Sequence, residues 1–194
     1  MTATLDSSND QRVTVTIEEQ ISSENIELFY DLYEKAFGEL RVKAAGRQVL
    51  HPAEFREEML DARVMKYVSW SLENQPLSLT TLTNSLETVP WISPEYFNAK
   101  YPGRALYYLG FTLVRPDIRM QYVFRDIATR IANRMRNENA VLCLDMCGHH
   151  TSHGFDHTLR SIGVATGTTL DALDTQTFFA ADFGTTHAQG DAQL

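Results

Sequence analysis

The sequence is poor in the features that mark secreted, membrane and nucleic-acid-binding proteins. It has only two cysteines and six prolines, and no apolar run comes near the roughly 18 residues of a membrane span. Residues 1–10 are polar, with neither a basic region nor an apolar run, so a signal peptide is not expected. Basic residues are outnumbered, with 17 Lys and Arg against 25 Asp and Glu and a formal charge of −8, which argues against a general nucleic-acid binder. These absences favour a cytoplasmic protein that contacts neither nucleic acid nor membrane.

The composition that remains is typical of one globular domain. The chain of 194 residues is 43% hydrophobic and 22% charged. A chain of this length buries about 70% of its unfolded surface, so its core needs no disulfide or metal. Cys143 and Cys147 would lie ~13 Å apart in a strand, whereas a disulfide needs them within ~7 Å. Residues 1–11 are predicted to be a flexible N-terminus, 12–183 the folded domain and 184–194 a flexible tail.

Hydrophobic periodicity predicts alternating strands and helices. Val13, Val15 and Ile17 alternate with threonines, which is the period of a strand. Strands are predicted over 13–17, 64–71, 77–82, 105–114, 140–147 and 177–183. Helices are predicted over 24–37, 121–137 and 155–162, with another that begins at Pro52. This last helix is predicted to expose its acidic side chains, Glu54, Glu57 and Glu58. The element order predicts an α/β sandwich around a mixed sheet.

An aromatic-rich insert, residues 86–103, separates the third and fourth strands. Inserts of this kind are lids or packed surface loops. Its rings are candidates for lining a substrate pocket, and plain packing is the alternative. The candidate substrate-binding residues are Trp91, Tyr96, Phe97 and, on the following strand, Tyr108.

The element order and one short motif resemble the GNAT superfamily of N-acyltransferases. Val114-Arg115-Pro116-Asp117-Ile118-Arg119 fits the first half of the family's acyl-coenzyme A signature. The hairpin with Gln75-Pro76 at its turn looks like the family's second and third strands. Ser161-Ile162-Gly163-Val164 stands where the family often has Lys-Leu-Gly-Phe. The resemblance implies an α/β fold with a GNAT-like mixed sheet flanked by helices, and the aromatic-rich insert between strands 3 and 4.

The same resemblance implies a site for acyl-CoA or acetyl-CoA. The residues that would bind it are Leu113, Val114, Arg115, Arg119, Met120, Gln121, Tyr122, Val123, Phe124 and Ser152. In the family, small residues stand at the positions of Tyr122 and Phe124 and let helix amides approach the pyrophosphate. The family's frequent tyrosine general acid would stand at Leu159. These departures favour the alternative of a non-catalytic GNAT-like domain that binds a ligand or partner.

Arginine is concentrated in one stretch of an otherwise acidic chain. Residues 104–136 hold seven arginines and two acids. The arginines are Arg104, Arg115, Arg119, Arg125, Arg130, Arg134 and Arg136. Such a patch suits an anionic partner, either coenzyme A phosphates or an acidic acyl-carrier protein that presents an acyl phosphopantetheine. The alternative is that the later arginines solvate the outer face of a helix.

Cysteines and histidines cluster near the end of the fifth predicted strand. The cluster comprises Cys143, Cys147, His149, His150, His153 and His157. Thiolate and imidazole are good zinc ligands, although the usual zinc spacings are not met. The second interpretation is that a neutral His149 or His150 acts as general base for an amine and that Asp145 orients it.

The leading interpretation is a GNAT-like transferase that moves an acyl group from a thioester to an amine. The resemblance implies that backbone amides of strand 105–114 polarise the thioester carbonyl. A small-molecule amine or acyl substrate is expected, and a homodimer is expected by analogy, because an exposed edge strand often pairs in this fold. The alternatives are a non-catalytic binding domain and a metal-binding protein.

Overall fold

The fold is seen in a computed structural model that describes residues 13–116 and 120–181, without the side chains of 120–125. The strands are β1 Thr14–Glu18, β2 Val64–Trp70, β3 Pro76–Thr83, β4 Leu106–Val114 and β5 Val141–Cys143. The helices are α1 Ser23–Phe37, α2 Leu40–Lys43, α3 Pro52–Leu60, α4 Pro94–Lys100, α5 Met120–Asn137, α6 Gly148–Ser152 and α7 Phe155–Ala165. No helix in these ranges is both long and apolar enough to cross a bilayer.

The strands form one mixed sheet whose spatial order is the chain order, β1-β2-β3-β4-β5. The first four strands pair antiparallel, and β4 and β5 pair parallel. The parallel pair requires a crossover, which α5 provides. This arrangement confirms the predicted mixed sheet flanked by helices.

Helices cover both faces of the sheet. On the first face, α1 and α3 bury Phe29 and Phe55 against Leu79 and Leu113 of the central strands. On the second face, α5 contributes side chains at i and i+4 that pack on residues of β2, β3 and β4. The second-face cluster comprises Ile127, Ile131, Met135, Tyr67, Leu82 and Tyr107. Burial of apolar surface on both faces stabilises a layered α/β fold of this kind.

A bulge interrupts the pairing of β3 with β4. Thr80 lies opposite Thr112 and Leu82 lies opposite Leu109, so the single residue Thr81 faces both Gly110 and Phe111. A two-against-one bulge bends the strand and increases its local twist.

The bulge lies just beyond the last contact between β4 and β5. The two strands pair only over Leu106–Tyr108, and the chain leaves β4 after Cys143. Leu109–Val114 continues without a strand neighbour on that side among the described residues. Gly110 is exposed although β4 is a central strand. The gap is the space between β4 beyond Tyr108 and the chain that follows Cys143 of β5.

Two of the predicted strands differ from the structure. The fifth strand is Val141–Cys143 rather than 140–147, because the chain diverges from β4 at this point. The predicted strand 177–183 is wrong over 177–181, which has no regular structure, and its last two residues lie outside the described part. The apolar pair Phe178 and Phe179 is 54% and 93% exposed, so the pattern that suggested a buried strand is not buried.

Candidate active site

Three side chains meet where the gap opens. The Tyr108 hydroxyl donates to an oxygen of the Asp145 carboxylate. The Trp91 indole N–H lies 3.2 Å from the same Oδ1 and 3.1 Å from the Tyr108 hydroxyl oxygen. The two rings pack edge to face, with centroids 6.4 Å apart. The structure thus brings together three predicted site residues, from the insert, β4 and the chain after β5.

The geometry of these three residues fixes the direction of the carboxylate. Tyr108 is 1% exposed, and burial together with the neighbouring Asp145 carboxylate raises the pKa of its phenol, so the hydroxyl keeps its proton. Asp145 is exposed, so one side of its carboxylate is held by the buried Tyr108 hydroxyl and the half-exposed Trp91 indole while the rest faces solvent. A carboxylate presented in this way can receive a cation such as an ammonium group.

His149 and His150 lie on α6, which follows the gap directly, and His153 comes just after its end. Burial lowers the pKa of His150, and the nearby His149 and His153 lower it further, whereas Glu39 at the start of α2 raises it. His150 is therefore neutral at neutral pH, as a general base must be. The His149 and His153 ring centroids are 4.3 Å apart. Within the described residues Asp145 makes no hydrogen bond to either His149 or His150.

The other aromatic candidates take different positions. Tyr96 on α4 is 42% exposed, and its hydroxyl donates to the Leu173 carbonyl at 3.4 Å. Phe97 packs against the small cluster around Leu86 and Leu106. The insert is thus partly packing, and Trp91 is the residue that it sends to the gap.

The predicted cofactor residues are only partly within the described chain. The Leu113 side chain is buried in the first-face core, so only its backbone is available to a ligand, and the Arg115 N–H donates to the Leu77 carbonyl at 2.8 Å. Val114 is half-buried at the end of β4. The Ser152 hydroxyl donates to the His149 carbonyl at 2.9 Å. Arg119 and the side chains of Met120, Gln121, Tyr122, Val123 and Phe124 lie outside the described residues.

The described arginines of the basic stretch contact neighbouring protein groups. On α5, Arg130 and Arg134 pair with Asp126 and Glu138 at 3.1 and 3.0 Å. Arg134 also donates to the Tyr67 hydroxyl at 3.2 Å. Arg104 donates to backbone carbonyls just before β5. These contacts favour the interpretation in which the α5 arginines solvate the outer face of the helix.

The Cys/His cluster does not form a metal site in the described chain. Across residues 13–116 and 120–181, no three His, Cys, Asp or Glu side chains are placed to hold a metal ion. Cys143 and Cys147 are free thiols, and burial raises the pKa of Cys143 to about 11. The described residues therefore give no support to the metal interpretation.

The sequence-based prediction wrongly assigned an acidic residue of α3, Glu58, to the exposed side of the helix. The prediction that the acids of α3 face solvent holds for Glu57, which is exposed, whereas Glu54 and Glu58 are half-buried. Desolvation raises the pKa of the Glu58 carboxyl, and the Thr81 hydroxyl is hydrogen-bonded to it. The helical spacing indicates that Glu58 lies near the buried side of α3, because it stands three residues after the buried Phe55 and directly before the buried Met59.

Comparison with known proteins identifies the fold. No protein-family model matches the sequence, and no curated protein matches it significantly. Among solved structures, a probable acetyltransferase is 14% identical with a TM-score of 0.54, covering 88% of this chain and 99% of its own. The aminoglycoside acetyltransferase meta-AAC0020 from an uncultured soil metagenomic sample, in complex with sisomicin, is 10% identical with a TM-score of 0.51, covering 88% and 97%. A predicted acetyltransferase from Clostridium acetobutylicum, with acetyl-CoA, is 11% identical with a TM-score of 0.50, covering 88% and 96%.

These likenesses extend over nearly the whole length of each solved chain. The protein therefore has the GNAT acetyltransferase fold, and the predicted resemblance in fold is confirmed.

Proposed function

We propose that this protein is an N-acyltransferase that moves an acyl group from acyl-CoA, with acetyl-CoA the first donor to test, to an amine of a small molecule. The observation that carries the proposal is the Asp145 carboxylate, held by Tyr108 and Trp91 at the opening between β4 and β5. The fold adds support, since one neighbour was solved with acetyl-CoA and another with sisomicin.

The gap fits the thioester end of such a donor. Exposed Gly110 removes side-chain bulk from one wall, and the strand beyond Tyr108 has backbone groups with no neighbouring strand among the described residues. Acyl-CoA supplies an activated acyl group as a thioester. Amides of β4 that face the gap would hydrogen-bond the thioester carbonyl and stabilise the charge that develops on its oxygen.

The acceptor would be placed by charge. Asp145 binds its ammonium group and Trp91 covers one side of that position. His150, neutral and close to the gap in sequence, takes a proton from the nitrogen so that a lone pair is free to attack. The C–N bond forms as the C–S bond of the thioester breaks, and the departing thiolate takes the remaining extra proton of that nitrogen. His149 lies beside it on α6 and helps to keep His150 neutral. The expectations of a homodimer and of a cytoplasmic location stay predictions.

Titration calorimetry with acetyl-CoA, followed by mass spectrometry of amines incubated with donor and protein, tests the proposal. The amines are sisomicin, spermidine and a dipeptide with a free N-terminus. We expect binding of acetyl-CoA and acetylation of at least one amine. Asp145→Asn should lower the rate at least tenfold, whereas Asp171→Asn, at an exposed acid after α7, should not.

Two results would contradict the proposal. No heat with acetyl-CoA or longer acyl-CoAs would remove the donor assignment. Binding of donor without acetylation of any amine would favour the non-catalytic binding domain instead.

A further inference from the structure

The half-buried acid Glu58 of α3 reaches the bulge of β4 through a threonine. Thr81 on β3 is 1% exposed and hydrogen-bonds the Glu58 carboxyl group. The same Oγ1 accepts the backbone N–H of Phe111 at 3.2 Å. The contacts form a chain that runs from the Glu58 carboxylate through one hydroxyl to the peptide N–H of the bulge.

Gly110 is required for this contact. A Cβ built on Gly110 would lie 2.5 Å from Thr81 Oγ1 and 3.7 Å from Glu58 Oε1. The first distance is shorter than any non-bonded contact a real Cβ makes, so a larger residue would push the hydroxyl away. The lack of a side chain at this position allows Thr81 to lie against the bulge.

Glu58 has few other partners. It has no ion pair among the described residues, and the Lys66 ammonium donates to the carbonyls of Glu19 and Asp61 at 2.8 and 2.7 Å. The titratable groups around the carboxylate are Lys66 on β2, Asp61 after α3 and the Tyr33 phenol on α1. A carboxyl group with so few hydrogen bonds destabilises a fold when it is ionised, so its presence calls for another role.

We infer that Glu58 and Thr81 act as a clamp on the β4 bulge and are positioning residues for acyl transfer. The clamp fixes the peptide between Gly110 and Phe111, and thereby the path of β4 along the gap. The inference deepens the proposed function, because the amides on this part of β4 are the ones assigned to the thioester carbonyl. Neither residue needs to touch a substrate.

The experiment compares six variants for their catalytic constants and for their amide signals in ¹⁵N NMR spectra. Glu58→Ala and Thr81→Val remove the contact, and Glu58→Gln and Thr81→Ser preserve it. Glu57→Ala and Glu57→Gln are matched controls on the exposed side of the same helix.

We expect the two disrupting variants to lower kcat about tenfold to a hundredfold at an unchanged dissociation constant for acetyl-CoA, as small displacements at a reacting centre do. The conservative variants should stay within about threefold of the parent. In the parent protein the chemical shift of the Phe111 amide should change with pH along one titration curve. That curve should be absent in Glu58→Gln and unchanged in Glu57→Gln. A merely structural role would lower melting temperature without these effects.

Three outcomes are informative. Disrupting variants that match the parent in kcat and in the Phe111 signal overturn the clamp and leave the proposed function intact. Failure of the parent to bind acetyl-CoA overturns the proposed function, and the Phe111 titration then decides alone whether the clamp exists. A Phe111 signal that does not respond to Glu58 overturns the clamp in either case.

Discussion

The change Tyr108→Phe removes one oxygen atom from the centre of the candidate site. The ring stays, so its packing against Leu86 and Cys143 and its edge-to-face contact with Trp91 are preserved. What is lost is the hydroxyl that donates to Asp145 and lies 3.1 Å from the Trp91 nitrogen.

The magnitude follows from these contacts. A hydrogen bond to a charged group contributes about 1.5–3 kcal/mol, and the exposed Asp145 can regain water, so a loss near 1.5 kcal/mol is expected. For a chain of this size about 1 kcal/mol shifts the melting temperature by about 2–4 °C, so Tyr108→Phe should melt about 3–6 °C lower. Loss of carboxylate orientation should also lower kcat/KM for the amine about tenfold. Binding of acetyl-CoA should not change.

Calorimetric melting and steady-state kinetics measure both effects. Tyr96→Phe is the matched control, because its hydroxyl contacts only the Leu173 carbonyl among the described residues and is far more exposed. If Tyr108→Phe melts within about 1 °C of the parent and turns over the amine at the parent rate, the hydroxyl does not hold Asp145 and the reasoning fails.

Three further predictions concern titrating groups. In a pH–rate profile the parent should lose activity on the acid side with a midpoint below pH 6.5. His150→Ala should lower kcat/KM about a hundredfold and abolish this acid limb, whereas His149→Ala should retain the limb. Because the pKa of Glu58 is raised in the folded state, the parent loses stability as pH rises from 4.5 through that higher value. Glu58→Gln should therefore melt above the parent at pH 7–8 and equal it below pH 4.5 in melts across pH. Ellman's reagent should modify Cys147 in the native protein and Cys143 only after denaturation, since burial raises the pKa of Cys143 to about 11; rapid modification of both would contradict its burial.

The sequence predicted the parts of the fold that repeat with a regular period. The alternation in Val13–Ile17 and the apolar run 105–114 gave β1 and β4, and the i, i+4 spacing of Ile127 and Ile131 gave the buried side of α5. The α5 pattern reflects burial of one side of the helix and the β4 run reflects burial on both faces of the sheet, whereas Ile17 of β1 is 53% exposed.

The remaining features depend on contacts between distant segments. At the bulge Thr81 accepts the Phe111 amide N–H, and no local pattern encodes that pairing. Trp91 and Asp145 were both proposed as site residues, yet their hydrogen bond joins positions 54 residues apart. The partial burial of Glu58 could not be predicted, because carboxylates usually face water.

The order of the sheet has a consequence for folding. Within the described residues each strand pairs only with its neighbours along the chain, so β2, β3 and β4 can assemble through successive hairpin-like contacts without the C-terminal part. The parallel strand β5 joins through three residue pairs and needs the crossover α5 first. Strand pairings that close long loops form late, and segments with few pairings open first. Amide protons of Val141–Cys143 should therefore exchange with solvent before those of β3, so Asp145 and the α6 histidines would be the last groups to reach their places during refolding.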